Sequence, residues 1–217
     1  MTSSPTPHRF PPEYSFPAFF TRQTNLATHA AQLTKWTNLV LAYCRAHRIF
    51  RLTISQAADS ELFHNKKLDR RLQLADIREL LEHMRHEGRA EYASVSASST
   101  TTNTTAAAAA AAMGSEDVVF IYWRTPEEWA ALVEAYVDET AQKGSVLTVY
   151  ELAEGEGTRG TGELLHFLNG AINMLTGFGL ELHGIDTEIL RKALNVLVKR
   201  GKAQIFGQED SQGVKFF

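Results

Sequence analysis

Apolar residues recur at three- and four-residue steps in two separate places. Trp36, Leu39, Val40, Tyr43 and Cys44 form one such stripe, and Trp129, Leu132, Val133 and Tyr136 form another. Steps of that size place side chains on one face of a helix. After each stripe comes a short β-branched run, Leu52–Ile54 or Val146–Val149, that predicts a strand. A further amphipathic helix follows, with its cap expected at Asp76 in one place and at Asp186 in the other. It ends at Gly88 or Gly201, the residue type suited to a left-handed exit. Each unit closes with two strands: "RAEYASV" with "VVFIYW", and "KAQIF" with "GVKFF". Thr125, Pro126 and Glu128 supply an N-cap, a first-turn proline and a third-position glutamate for the second long helix, a capping box.

The two patterns align residue by residue. Trp36 matches Trp129, Leu39 Leu132, Val40 Val133, Ala42 Ala135 and Tyr43 Tyr136. Further on, Ile77 matches Leu190, Leu81 Leu194, Met84 Leu197, Gly88 Gly201 and Ala90 Ala203. Two matches in one order indicate a duplicated domain. Helix, strand, helices and a β-hairpin make a winged helix, so the expectation is an α+β fold of tandem winged-helix domains. The expected limits are 1–22 for an N-terminal docking segment, 23–124 for the first domain and 125–217 for the second. Two insertions interrupt the plan. Residues 94–117 are Ser/Thr/Ala low-complexity sequence, expected to be a disordered extended wing. Residues 155–182 join a Gly-rich loop to an apolar stretch, Leu164 to Leu182, broken by glycines; it is expected to be an extra helix on the domain or sequence foreign to the mature protein.

Ahead of the repeat lies "FPPEYSFPAFF", Phe10 to Phe20, which has no counterpart before the second domain. On that ground it is not expected to complete either core. Proline fixes φ and keeps an unbound segment extended, and aromatic rings are strong interface anchors. The stretch therefore reads as a docking segment for another chain. Packing of Phe16, Phe19 and Phe20 on the first domain is the alternative, and Pro11-Pro12-Glu13-Tyr14 also fits a WW-domain ligand.

The 217 residues carry a net charge of −3, which argues against nucleic acid as the main partner. The lone Cys44 continues a buried stripe and reads as a core thiol in a reducing compartment. No signal peptide or membrane-spanning run is legible. Phosphate-loop, dinucleotide and nucleophile-elbow motifs are missing. The His83/His86 and Cys44/His47 pairs lack a second pair to complete a metal site, so no catalysis, metal or cofactor is expected. DNA binding by a tandem winged-helix transcription factor is the other function considered. Acidic Asp76, Glu79, Glu82 and Glu87 on the first recognition-type helix and the acidic "GQEDSQ" wing disfavour it, despite Arg191, Lys192, Lys199, Arg200 and Lys202 on the second.

The stretches "PPEYSFPAFFTRQTNLATHAAQLTKWTNLVLAYCRAHRIF", "LFHNKKLDRRLQLADIRELLEHMR", "WRTPEEWAALVEAYV", "VLTVYEL" and "GVKFF" resemble the family of the smallest ESCRT-II subunits. The resemblance spans the chain outside its two insertions. It implies a non-enzymatic adaptor, cytoplasmic and recruited to endosomes, without membrane insertion of its own. Two copies are implied to join two larger winged-helix subunits in multivesicular-body sorting of ubiquitinated cargo. Docking is implied through consecutive Pro-Pro-x-aromatic motifs, here Pro11, Pro12 and Tyr14, then Phe16, Pro17, Phe19 and Phe20, with Ala18 in place of a proline. The second domain is implied to recruit the ESCRT-III nucleating subunit. On this reading, Tyr14→Ala with Phe20→Ala is expected to release the larger subunits without unfolding the chain.

Overall fold

The computed structural model describes residues 8–93, 117–155, 181–207 and 212–217. Apart from their ends, the two expected insertions lie outside these residues. The chain divides into two compact units, Met1–Trp123 and Arg124–Phe217.

In the first unit, α1 (Leu26–Ala46) starts at Asn25, whose Oδ1 accepts from the Ala27 and Thr28 amides at 3.0 and 3.1 Å. Strand β1 (Arg51–Thr53) leads directly into the short α2 (Ile54–Ala58). A small hairpin, β2 (His64–Asn65) with β3 (Arg70–Arg71), precedes α3 (Leu74–His86). Strands β4 (Ala90–Tyr92) and β5 (Val118–Ile121) finish the unit. The antiparallel sheet has the order β1-β5-β4, with Leu52 and Tyr92 both opposite Val119. Trp36, Val40, Cys44, Phe63, Ile77, Leu80, Leu81, Met84 and Ile121 fill the core.

The second unit repeats this with α4 (Pro126–Glu139), β6 (Val146–Thr148), α5 (Val149–Glu154), α6 (Thr187–Lys199), β7 (Ala203–Phe206) and β8 (Gly213–Phe216). Its sheet order, β6-β8-β7, is the first unit's order over again. Trp129, Val133, Leu190, Leu194 and Leu197 take the buried places of Trp36, Val40, Ile77, Leu81 and Met84. Equivalent residues solve the same packing problem twice, and the fold is a tandem winged helix.

Local chemistry explains most boundaries. The Thr125 hydroxyl accepts from the Glu128 amide at 3.3 Å, and the Glu128 carboxylate accepts from the Thr125 amide at 2.7 Å. Asp186 caps α6 as expected. Asp76 does not cap α3. The Ile77 amide bonds the Gln73 carbonyl at 2.9 Å, which closes the first turn from Gln73 and leaves Asp76 inside it. There the carboxylate faces the positive end of the helix dipole. Ile54 opens α2 rather than closing β1, although its amide still bonds the Asp117 carbonyl at 2.7 Å, in register with the β1–β5 ladder.

Gly88 and Gly201 leave their helices at φ +69° and +71°. A Cβ at Gly201 meets nothing within 4 Å, so its substitution carries conformational strain alone. Gly201→Ala is expected to destabilise the second unit by about 1 kcal/mol, read from the denaturant midpoint.

Candidate partner-docking site

The prolines shape the N-terminal segment differently from the extended conformation expected. Pro12–Ser15 and Pro17–Phe20 each form one 3-10 turn, with Pro12 and Pro17 at the first helical position. A missing N–H is harmless there and a φ near −65° is already helical. The Tyr14 amide donates to the Pro11 carbonyl at 3.0 Å, and the Phe19 amide to the Phe16 carbonyl at 2.9 Å. Two five-residue units thus stand in register, Pro11 to Ser15 and Phe16 to Phe20. In this register Ala18 matches Glu13, and Phe16 matches Pro11. The second motif departs from the first at Phe16, an aromatic residue in the capping position.

Three of the expected anchors point inward. Tyr14, Phe19 and Phe20 are 6%, 7% and 4% exposed and belong to the first unit's core. Phe19 stacks on Trp36 with ring centroids 4.3 Å apart, and Phe20 meets the same indole edge-on at 5.4 Å. Tyr14 stacks on Phe10 at 4.0 Å and touches Phe20 edge-on at 5.3 Å. The segment therefore does complete a core, contrary to the expectation drawn from its place outside the repeat. The face of α1 around Trp36 is wider than the sheet and α3 can cover, and the segment closes it.

Polar groups fasten the backbone. Gln32 Nε2 donates to the Phe19 and Thr21 carbonyls at 2.8 and 2.9 Å, and Trp36 Nε1 donates to Phe19 O at 3.1 Å. Asn65 Nδ2 donates to the Tyr14 carbonyl at 2.8 Å. The Tyr14 hydroxyl donates to the Glu61 carbonyl, and the Tyr43 hydroxyl to Glu61 Oε1 at 3.1 Å. Burial, with the Glu61 charge adding to it, pushes both phenols up to about 12, so both remain donors at neutral pH. Sequence reasoning missed Gln32, Glu61 and Asn65. Gln32 alone left a sign, a polar residue four positions before Trp36 on an otherwise apolar stripe.

The outward face carries the other expected residues. Phe16 is 62% exposed, Pro12 and Pro17 are exposed, and Pro11 is half-buried. Two grooves run between this face and α1. One, about 320 Å³, is lined by His8, Pro11, Phe19, Asn38 and Leu39. The other, about 210 Å³, is lined by Phe16, Ala18, Thr28, Ala31 and Gln32. Glu13 and Lys35 pair at 3.1 Å and border both. A hydrogen bond from its own backbone amide, then Lys35, hold the Glu13 carboxyl below its usual range. A buried Tyr14 cannot enter a WW domain, so the WW-ligand reading fails for this conformation.

The remaining candidates have structural places. Cys44 is fully buried, which pushes its thiol up to about 12. His86 lies 3.2 Å from Glu82, and His83 3.4 Å from Glu87. Among the described residues, no group of three or more His, Cys, Asp or Glu is placed to hold a metal ion. Of the cations expected on α6 and just beyond it, Arg191 pairs with Glu188 and Lys202 with Glu134. That leaves less positive charge for phosphate than the sequence alone suggests.

The sequence model of the ESCRT-II complex subunit family matches residues 13–167. The chain belongs to this family. It is the family that the quoted motifs resemble. Human vacuolar protein-sorting-associated protein 25 is 36% identical over 208 residues, covering 96% of this chain and 97% of the relative. The crystal structure of subunit VPS25 of the endosomal trafficking complex ESCRT-II superposes with a TM-score of 0.70 at 23% identity, covering 95% of this chain and 98% of that one. A chain of the crystal structure of endosomal complex ESCRT-II (VPS22/VPS25/VPS36) superposes at 0.69, also at 23% identity and with the same coverage. The ESCRT-II subunit described here thus shares its fold with these chains across both units.

Proposed function

We propose that this chain is the adaptor subunit of an ESCRT-II complex in endosomal sorting of ubiquitinated membrane proteins. It docks on two larger winged-helix subunits through Pro11, Pro12, Phe16 and Pro17, while Tyr14, Phe19 and Phe20 hold that face in place. The carrying observation is the exposed Phe16 flanked by Pro12 and Pro17, on a backbone tied to Gln32, Trp36 and Asn65. Such a face is ordered before it meets a partner, so docking loses little conformational entropy. The named partners of the related VPS25, VPS22 and VPS36, supply the kind of partner.

In this reading the chain is cytoplasmic, joins endosomes with its complex, and is present twice per assembly. Its second winged helix recruits the ESCRT-III nucleating subunit. Co-expression with the two larger subunits and mass measurement of the purified complex tests this. Two copies of this chain per copy of each larger subunit are expected. Purification of the larger pair without this chain would sink the reading.

A further inference from the structure

The β2–β3 hairpin has no equivalent among the described residues of the second unit. Its turn and second strand carry Lys66, Lys67, Arg70 and Arg71 against a single carboxylate, Asp69, in a chain whose net charge is −3. All four cations are exposed. Arg71 reaches Asp59 at 3.3 Å, whereas Lys66, Lys67 and Arg70 have no ion-pair partner among the described residues. Like charges crowded into six residues repel one another, and a structure that serves only folding gains nothing from them.

The hairpin is nonetheless firmly built. Asn65 Oδ1 accepts from the Lys67 and Leu68 amides at 3.0 and 3.2 Å, and Asp69 takes the left-handed conformation at φ +50°. The Leu72 amide bonds the Phe63 carbonyl at 2.9 Å, closing the base. The same Asn65 side chain donates to the Tyr14 carbonyl, and β3 runs alongside the Pro17–Phe20 turn. Strand β3, and with it Arg70, therefore lies beside the turn that begins at Pro17, next in sequence to Phe16.

We propose that this hairpin is the electrostatic half of the docking face, and that the larger subunit it meets carries carboxylates beside its apolar site. The inference rests on the docking reading above and adds the chemistry of the partner. Rim charges of this kind act mainly on the rate and register of encounter, while a desolvated aromatic anchor sets the dissociation rate. The nearness of β3 to the Pro17–Phe20 turn of the docking segment favours a protein surface over a membrane.

The test compares two variants of the full chain against the purified pair of larger subunits, over a range of salt concentration. Lys66→Gln, Lys67→Gln and Arg70→Gln together leave Arg71 on Asp59 and the hairpin's hydrogen bonds intact. The triple variant should associate about tenfold more slowly at low ionic strength and lose most of its salt dependence. Phe16→Ala should speed dissociation and keep the wild-type salt dependence. If Phe16→Ala loses binding while the triple variant keeps the wild-type rate and salt dependence, the hairpin inference is wrong and docking stands. If neither variant changes binding, both readings are wrong. A third arm uses phosphatidylcholine vesicles containing phosphatidylserine. Should the triple variant lose vesicle binding but join the larger subunits normally, the cations serve a lipid surface and the proposal is overturned.

Discussion

Tyr14→Ala combined with Phe20→Ala is expected to unfold the first unit rather than merely release partners. Both rings are nearly fully buried, and Phe20 lies against Trp36. Truncating a buried aromatic to alanine costs about 3–5 kcal/mol. Two such losses rival the whole stability of a domain, about 5–15 kcal/mol. The change also leaves Asn65 facing a tether that no longer holds its place. Loss of near-ultraviolet circular dichroism and rapid proteolysis within residues 8–93 would report it. Tyr14→Phe is the control, since it removes one hydroxyl hydrogen bond at about 1 kcal/mol. A double variant that melts like the wild type would show that the segment is not part of the core. This replaces the sequence-based expectation that the same double change acts on docking alone.

Phe16→Ala separates the two roles. Its ring is 62% exposed, and its backbone carbonyl, which closes the second turn, is untouched by the substitution. Stability should stay within about 0.5 kcal/mol of the wild type. If Phe16 is a hot-spot anchor, affinity for the larger subunits should fall by about 30-fold, the equivalent of about 2 kcal/mol. Isothermal titration against the purified pair reads both quantities when paired with a thermal melt. Unchanged affinity would move the docking site off this segment's outer face.

The fold was legible because its signals are periodic and occur twice. Trp36 and Trp129, then Met84 and Leu197, mark the same buried positions in two halves. Thr125 and Gly201 punctuate helices through chemistry that acts within a few residues. What escaped left no such repeated signal. Asp76 looks like a cap until the Gln73 carbonyl closes the turn ahead of it. The β2–β3 hairpin has strands of two residues each, too short for any alternation to show. The residues proposed for docking were identifiable by type, as prolines and aromatics, but not by direction. In a 3-10 turn the side chain at the third position swings toward α1, and that sends Tyr14 and Phe19 inward. Phe16, between the two turns, is left exposed.

The tie between Phe19 and the side chains of Gln32 and Trp36 has a bearing on how a cell would count finished subunits. Phe16 is held outward only while its neighbours are seated in a folded first unit. A nascent or damaged chain offers a floppy aromatic peptide and an uncovered indole instead of a shaped surface. On the docking reading proposed above, assembly would thereby proofread folding: a copy whose first unit has not formed would lack the feature by which it is incorporated.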